Sequence, residues 1–129
     1  MRYFLKIEDC DERGNALNAA LSVIAQGEYA DGALSLDYLF DGARYSLKVE
    51  EGCVRHTRCG DIQMSLEFRL GELTCGCLKS GGMSGNLNIY THELKIILTS
   101  KGCSARLVFS DGVEGGEKLV KSITAYPVK

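Results

Sequence analysis

One proline, two histidines and no long apolar run are what this 129-residue chain is short of. With Pro127 as the sole proline, next to the C-terminus, extended segments are spared the residue that breaks strand ladders. No stretch approaches the roughly 20 apolar residues of a membrane helix. Met1 to Glu8 carries two bases but no signal-length apolar segment follows, so a cytoplasmic protein is expected. A net charge of −2 lacks the basic footprint of a nucleic-acid binder, and no membrane association is expected. The charge is uneven: residues 1–43 hold eight acids and three bases, residues 44–79 six bases and five acids. That pattern reads as solvated strand faces.

What the chain has in plenty is glycine, fifteen of them, dividing it into short alternating runs. Ile62, Met64, Leu66, Phe68 and Leu70 interleave with Gln63, Ser65, Glu67 and Arg69, a period of two with one oily face. Tyr3, Leu5 and Ile7 open the chain in the same way, and Asp9 to Asn15 reads as a polar loop. Ala16 to Ala30 fits both periods; without a capping box it reads as strand. Asp31-Gly32 and Asp41-Gly42 are hairpin dipeptides, bracketing a strand from Ala33 to Phe40. Further runs follow: Tyr45 to Val49, Cys53 to Cys59, Ile62 to Leu70 and Leu73 to Lys79. Ser80 to Gly85 is read as the most flexible stretch. Leu87 to Tyr90 and Leu94 to Thr99 are expected as two short strands around a Thr91-His92-Glu93 corner. Cys103 to Phe109, the turn dipeptides Asp111-Gly112 and Gly115-Gly116, and a closing strand over Lys118 to Tyr126 complete the chain, with Pro127 beyond the last pairing. About eight to ten strands joined by short turns predict one all-β domain over residues 1–129, an antiparallel up-and-down barrel.

Four segments in this order resemble a known family: Gln26-Gly27-Glu28-Tyr29; Arg58-Cys59-Gly60 followed by Met64; Gly85-Asn86-Leu87-Asn88-Ile89 with Thr91 and Leu94-Lys95-Ile96; and Ala105 to Phe109 before Asp111-Gly112. They resemble the YwiB-like family of small bacterial proteins, a domain of unknown function, over about residues 18–126. The resemblance implies a calycin-like (lipocalin-like) barrel and brings no reaction and no catalytic residues. Where the family usually has a Pro-Tyr-Gly-like element, this chain has Met83-Ser84-Gly85 and keeps only the glycine.

The chemistry-bearing residues are few. Cys53, His56, Cys59, Cys75 and Cys77 are zinc-ligand types, but neither C-x-C nor C-x5-C has structural zinc spacing, and His56 falls on the opposite strand face from Cys53 and Cys59. They read as packing residues, with no metal and no cofactor. In a reducing cytosol all six cysteines are expected as free thiols, with Cys10, in its polar loop, the most accessible. His56 and His92 both fall near turns, and no nucleophile elbow, phosphate loop or paired carboxylates accompany them, so no enzyme is expected. Gly81, Gly82 and Gly85 read as a flexible loop rather than an anion cradle.

The barrel carries the functional expectation. Its oily face presents Tyr38, Phe40, Tyr45, Leu47, Met64, Leu66, Phe68 and Leu107. A small, partly apolar ligand in the barrel would meet Tyr38, Phe40, Tyr45, Met64 and Phe68, with Arg58 either an inward cation for a ligand carboxylate or an outward arginine paired with a neighbouring acid. The alternative is a filled barrel acting as an interaction module, pairing through an edge strand or outer face with another protein or as a homodimer.

Overall fold

The computed structural model describes residues 1–112 and 116–129; Gly115 of the expected glycine turn lies outside them. Ten strands are present: β1 (Arg2–Asp11), β2 (Leu21–Ala30), β3 (Ala33–Phe40), β4 (Ala43–Glu50), β5 (Cys53–Cys59), β6 (Ile62–Arg69), β7 (Leu73–Ser80), β8 (Met83–Thr99), β9 (Gly102–Ser110) and β10 (Leu119–Pro127). Each pairs antiparallel with its sequence neighbours, and β1 with β10 closes the barrel. The described residues contain no helix. The all-β up-and-down barrel expected from the alternation is therefore what forms.

The Asp-Gly dipeptides behave as their chemistry requires. Asp31 and Asp41 both have φ of 53°, followed by Gly32 at 75° and Gly42 at 79°, two positive values in succession, as type I′ turns need.

Four boundaries differ from the sequence reading. β1 runs on to Asp11, so Cys10 lies in a strand, not a loop. The reason is long-range: residues 9–11 pair with Lys121, Val120 and Leu119 of β10. β2 begins only at Leu21; residues 12–20 form a connection in which the Asp11 carboxylate accepts from the Arg13 and Asn15 N–H groups, each at 2.9 Å. The two short strands around residues 91–93 are one strand, β8, with a bulge between Thr91 and Glu93. Pairing continues through the bulge, which locally breaks the period of two. Pro127 is the last residue of β10 and stands opposite Tyr3. The stretch read as flexible is a tight Gly81-Gly82 turn followed by the first residues of β8.

Inward side chains fill the barrel. Tyr3, Leu5, Leu34, Leu36, Leu47, Val49, Val54, Phe68, Leu107 and Ile123 form one buried cluster. Each such side chain contributes about 1.5–3 kcal/mol by leaving water. The barrel is also pinched: β6 approaches β8, and β4 reaches β8 across the interior. The outer wall carries ion pairs such as Lys6–Glu8 at 2.9 Å. Apolar inside and charged outside is the reverse of a membrane-spanning barrel's pattern.

Candidate functional site

Three inward rows cross β3, β4, β5 and β6 in register. Leu34, Val49, Val54 and Phe68 form the deepest, sealed row. Leu36, Leu47, His56 and Leu66 form the middle row. Tyr38, Tyr45, Arg58 and Met64 form the row nearest one mouth. Four of the residues that the alternation singled out thus share one cross-strand line. Phe40 stands at the end of β3 on the rim of the same mouth. Phe68 lies apart from them, fully buried in the deepest row with its ring edge-on to Phe109.

The mouth holds a pocket of about 400 Å³, within the range of small-molecule sites. Ile7, Leu21, Tyr38, Phe40, Tyr45 and His56 line it, with Ala19 and Ala20 of the connection laid over one side. Arg58 and Met64 flank a separate outer concavity beside Gln63 and Lys79. Two other concavities have similar volumes: about 440 Å³ beside Phe4 and Tyr126 on the outer wall, and about 410 Å³ between the turns at residues 60–61 and 81–82. Volume does not separate the three. Buried polar chemistry does: of the three, the mouth alone has buried ionisable side chains, Tyr38, His56 and Lys121, among the described residues that line it.

Those side chains form two linked groups. Tyr38 and Tyr45 stack face to face, ring centres 5.0 Å apart and planes within 4°. Tyr38 Oη lies 2.7 Å from His56 Nε2, and the Tyr45 hydroxyl accepts from Arg58 Nε at 3.1 Å. The Arg58 guanidinium also donates to the Ile62 carbonyl and the Asp61 carboxylate. Arg58 thus combines the two sequence alternatives: its strand position faces in, while its charge is met at the rim by a neighbouring acid. Opposite, Lys121 and Asp9 are a cross-strand pair, Nζ to Oδ1 2.8 Å, and Lys121 is 9% exposed. Burial first, then the Lys121 charge, pushes His56 down to about 4, with Asp9 pulling weakly the other way. His56 is a neutral base near pH 7. Burial, with Tyr45 and Asp9 adding to it, pushes the Tyr38 phenol well above its usual range.

Sequence reasoning missed His56, Lys121 and Asp9 as members of this site. His56 is not at a turn but inside, 8% exposed. Its parity with Val54 was the available signal. For Asp9 and Lys121 no local signal exists, because only the closure of β1 against β10 joins them.

The cysteines do not converge. No group of potential metal ligands forms among the described residues, and all six thiols are free. Cys75 and Cys77 share the outer face of β7, as their spacing required. Cys53 is on the outer face of β5 yet sealed under charged side chains, its thiol donating to Glu67 at 3.6 Å. Cys59 and Cys75 are exposed, whereas Cys10 is half-buried, so Cys10 is not the most accessible thiol. The second histidine, His92, occupies the β8 bulge, with Nε2 2.9 Å from Ser110 Oγ.

Fold and mouth together define a class: a closed, ten-stranded, up-and-down barrel with a packed interior and one polar mouth. The crystal structure of the ywiB protein from Bacillus subtilis shares this fold, with a TM-score of 0.76 and 19% identity over 99% of this chain and 91% of that one. That likeness establishes a YwiB-like fold. No protein-family model matches the sequence, and no curated protein matches it.

Proposed function

We propose that this barrel is a non-catalytic, cytosolic binding protein for a small, partly apolar molecule held in the mouth between Tyr38, Phe40, Tyr45 and His56. The observation that carries this reading is a pocket of about 400 Å³ whose largely apolar walls bring together the buried polar side chains of Tyr38, His56 and Lys121. Buried polar atoms are ordinarily paired, and a pocket with a few convergent ones among apolar walls is the usual form of a ligand site. The thiols sit elsewhere, none of them lining the mouth. Native mass spectrometry of the protein purified without denaturation tests the reading. The expected result is a retained small mass, lost in Ala20→Trp, which fills the mouth from its exposed covering segment. Bare protein in both cases would contradict it.

One observation favours a second reading. The ten strands close on themselves, so pairing through a sheet edge has no edge to use. Phe4, Ile24 and Tyr126, however, form an exposed outward row across β2, β1 and β10. A homodimer through this face would be split by Tyr126→Asp in light-scattering measurements; a monomer in wild type removes this reading.

A further inference from the structure

The hydrogen-bond balance of the mouth points to the chemistry of its ligand. The Lys121 ammonium has three N–H donors and one partner, Asp9, among the described residues. Tyr38 and neutral His56 hold two protons between them, one in the Tyr38–His56 contact. If Tyr38 donates, the imidazole proton is on Nδ1; if Nε2 donates, the Tyr38 hydroxyl proton is released from the pair. Either tautomer leaves one donor over. The Tyr45 hydroxyl accepts from Arg58, so its own proton is also uncommitted among the described residues. The acceptors on the same lining are the Asp9 carboxylate, already turned to Lys121, and the neutral groups of Asn18 and the Tyr38–His56 pair, so the one charged group with N–H bonds to spare is Lys121. A buried ammonium with spare N–H bonds, flanked by hydroxyl donors, is complementary to a ligand that brings a strong acceptor.

The walls set the rest of the molecule. The stacked Tyr38–Tyr45 pair, the Phe40 ring at the rim, and Leu21 and Ile7 present flat and aliphatic surface. Lys121 is matched by one carboxylate, Asp9, so the mouth suits at most one negative charge, taken in competition with Asp9.

Resting on the ligand-binding reading above, we propose that the mouth takes a planar, apolar monocarboxylic acid, its carboxylate received by Lys121 and the Tyr38–His56 pair and its ring laid against Tyr45, Phe40 and Leu21. A carboxylate in this position competes with Asp9 for Lys121. Removing the Asp9 charge therefore strengthens binding of the acid, whereas removing Lys121 weakens it.

Three probes with one ring system test this: 2-naphthoate, 2-naphthalenemethanol and 2-naphthalenemethylamine, titrated into the intact protein near neutral pH with fluorescence readout. The acid is expected to bind at least about tenfold more tightly than the alcohol, and the amine most weakly, because a charge-assisted bond is roughly twice as strong as a neutral one. Lys121→Met abolishes the preference for the acid over the alcohol. Asp9→Asn tightens the acid alone, and decides the matter if Lys121→Met fails to fold. An alcohol that binds as tightly as the acid overturns the proposal and leaves the ligand-binding reading standing. An amine that binds best overturns it in favour of Asp9 as the recognition group. Absence of binding by all three overturns both.

Discussion

The two ends of one barrel are built from the same strands and reach opposite solutions. Near one end, Leu34, Val49, Val54 and Phe68 meet across β3 to β6 with no measurable exposure. Four residues along the same strands, Tyr38, Tyr45 and Arg58 replace the aliphatics, and Lys121 with Asp9 enters from the opposite wall. The sealed end supplies stability through close packing. The open end gives up part of that burial to hold polar groups around a pocket. A barrel need not be hollow or filled as a whole; here the pinch of β4 toward β8 fills the interior, and the pocket is confined to a mouth.

Paired truncations put the contrast to its hardest test. Phe68→Ala, in the sealed row, should cost about 3–5 kcal/mol of unfolding free energy in urea. Phe40→Ala, at the half-exposed rim, should cost under about 1 kcal/mol. Similar losses at both positions would mean that the mouth is as tightly packed as the core.

Acid should expose the open end next. His56 has an ordinary value of 6.5 and stands at about 4 in the folded protein, facing Lys121, Asp9, Tyr38 and Tyr45. A depressed histidine leaves the unfolded chain binding more protons than the native one within that window. Stability is therefore unaffected above pH 6.5, falls as pH drops, and the loss is complete near pH 4. The total is about 3 kcal/mol. Asp11 and Asp61, held low by the backbone N–H groups of Asn15 and Ile62, act only below their ordinary 3.8. Urea titrations at stepped pH should show the slope in wild type and a flat response above pH 4.5 or so in His56→Gln. An unchanged slope in that variant would assign the acid sensitivity elsewhere.

A smaller effect sharpens the sealed end. A Cβ at Gly27 would fall 2.6 Å from ring carbon Cδ2 of Tyr3 and 2.6 Å from Leu36 Cδ2. Both neighbours are almost fully buried and have little room to yield. Gly27→Ala should cost about 1–3 kcal/mol through overpacking, read as a lowered urea midpoint. A neutral result would show slack at this end.

Much of this fold was legible in the sequence because it rests on local chemistry. The run from Ile62 alternates strictly, and the Asp-Gly pairs at 31–32 and 41–42 supply the successive positive φ values that their turns need. The same parity placed Tyr38, Tyr45, Arg58 and Met64 on one face, and register then lined them up. Non-local features escaped it. The bulge at His92 looked like a corner because one extra residue breaks the period without breaking the strand. Residues 9–11 looked like loop because their partners lie more than a hundred residues away. For the same reason the Asp9–Lys121 pair, which gives the mouth its ionic groups, was invisible: two charged residues in polar surroundings read as solvated until barrel closure brings them together.

The central claim is that the mouth, and neither the barrel interior nor the outer wall, is where a small molecule is held. Chemical-shift mapping of the isotope-labelled protein during titration with 2-naphthoate tests it most directly. The account predicts saturable shifts at Ile7, Leu21, Tyr38, Tyr45 and His56, with Val49 and Val54 unmoved. Shifts centred instead on Phe4, Ile24 and Tyr126, or no saturable shift at any residue, would contradict it.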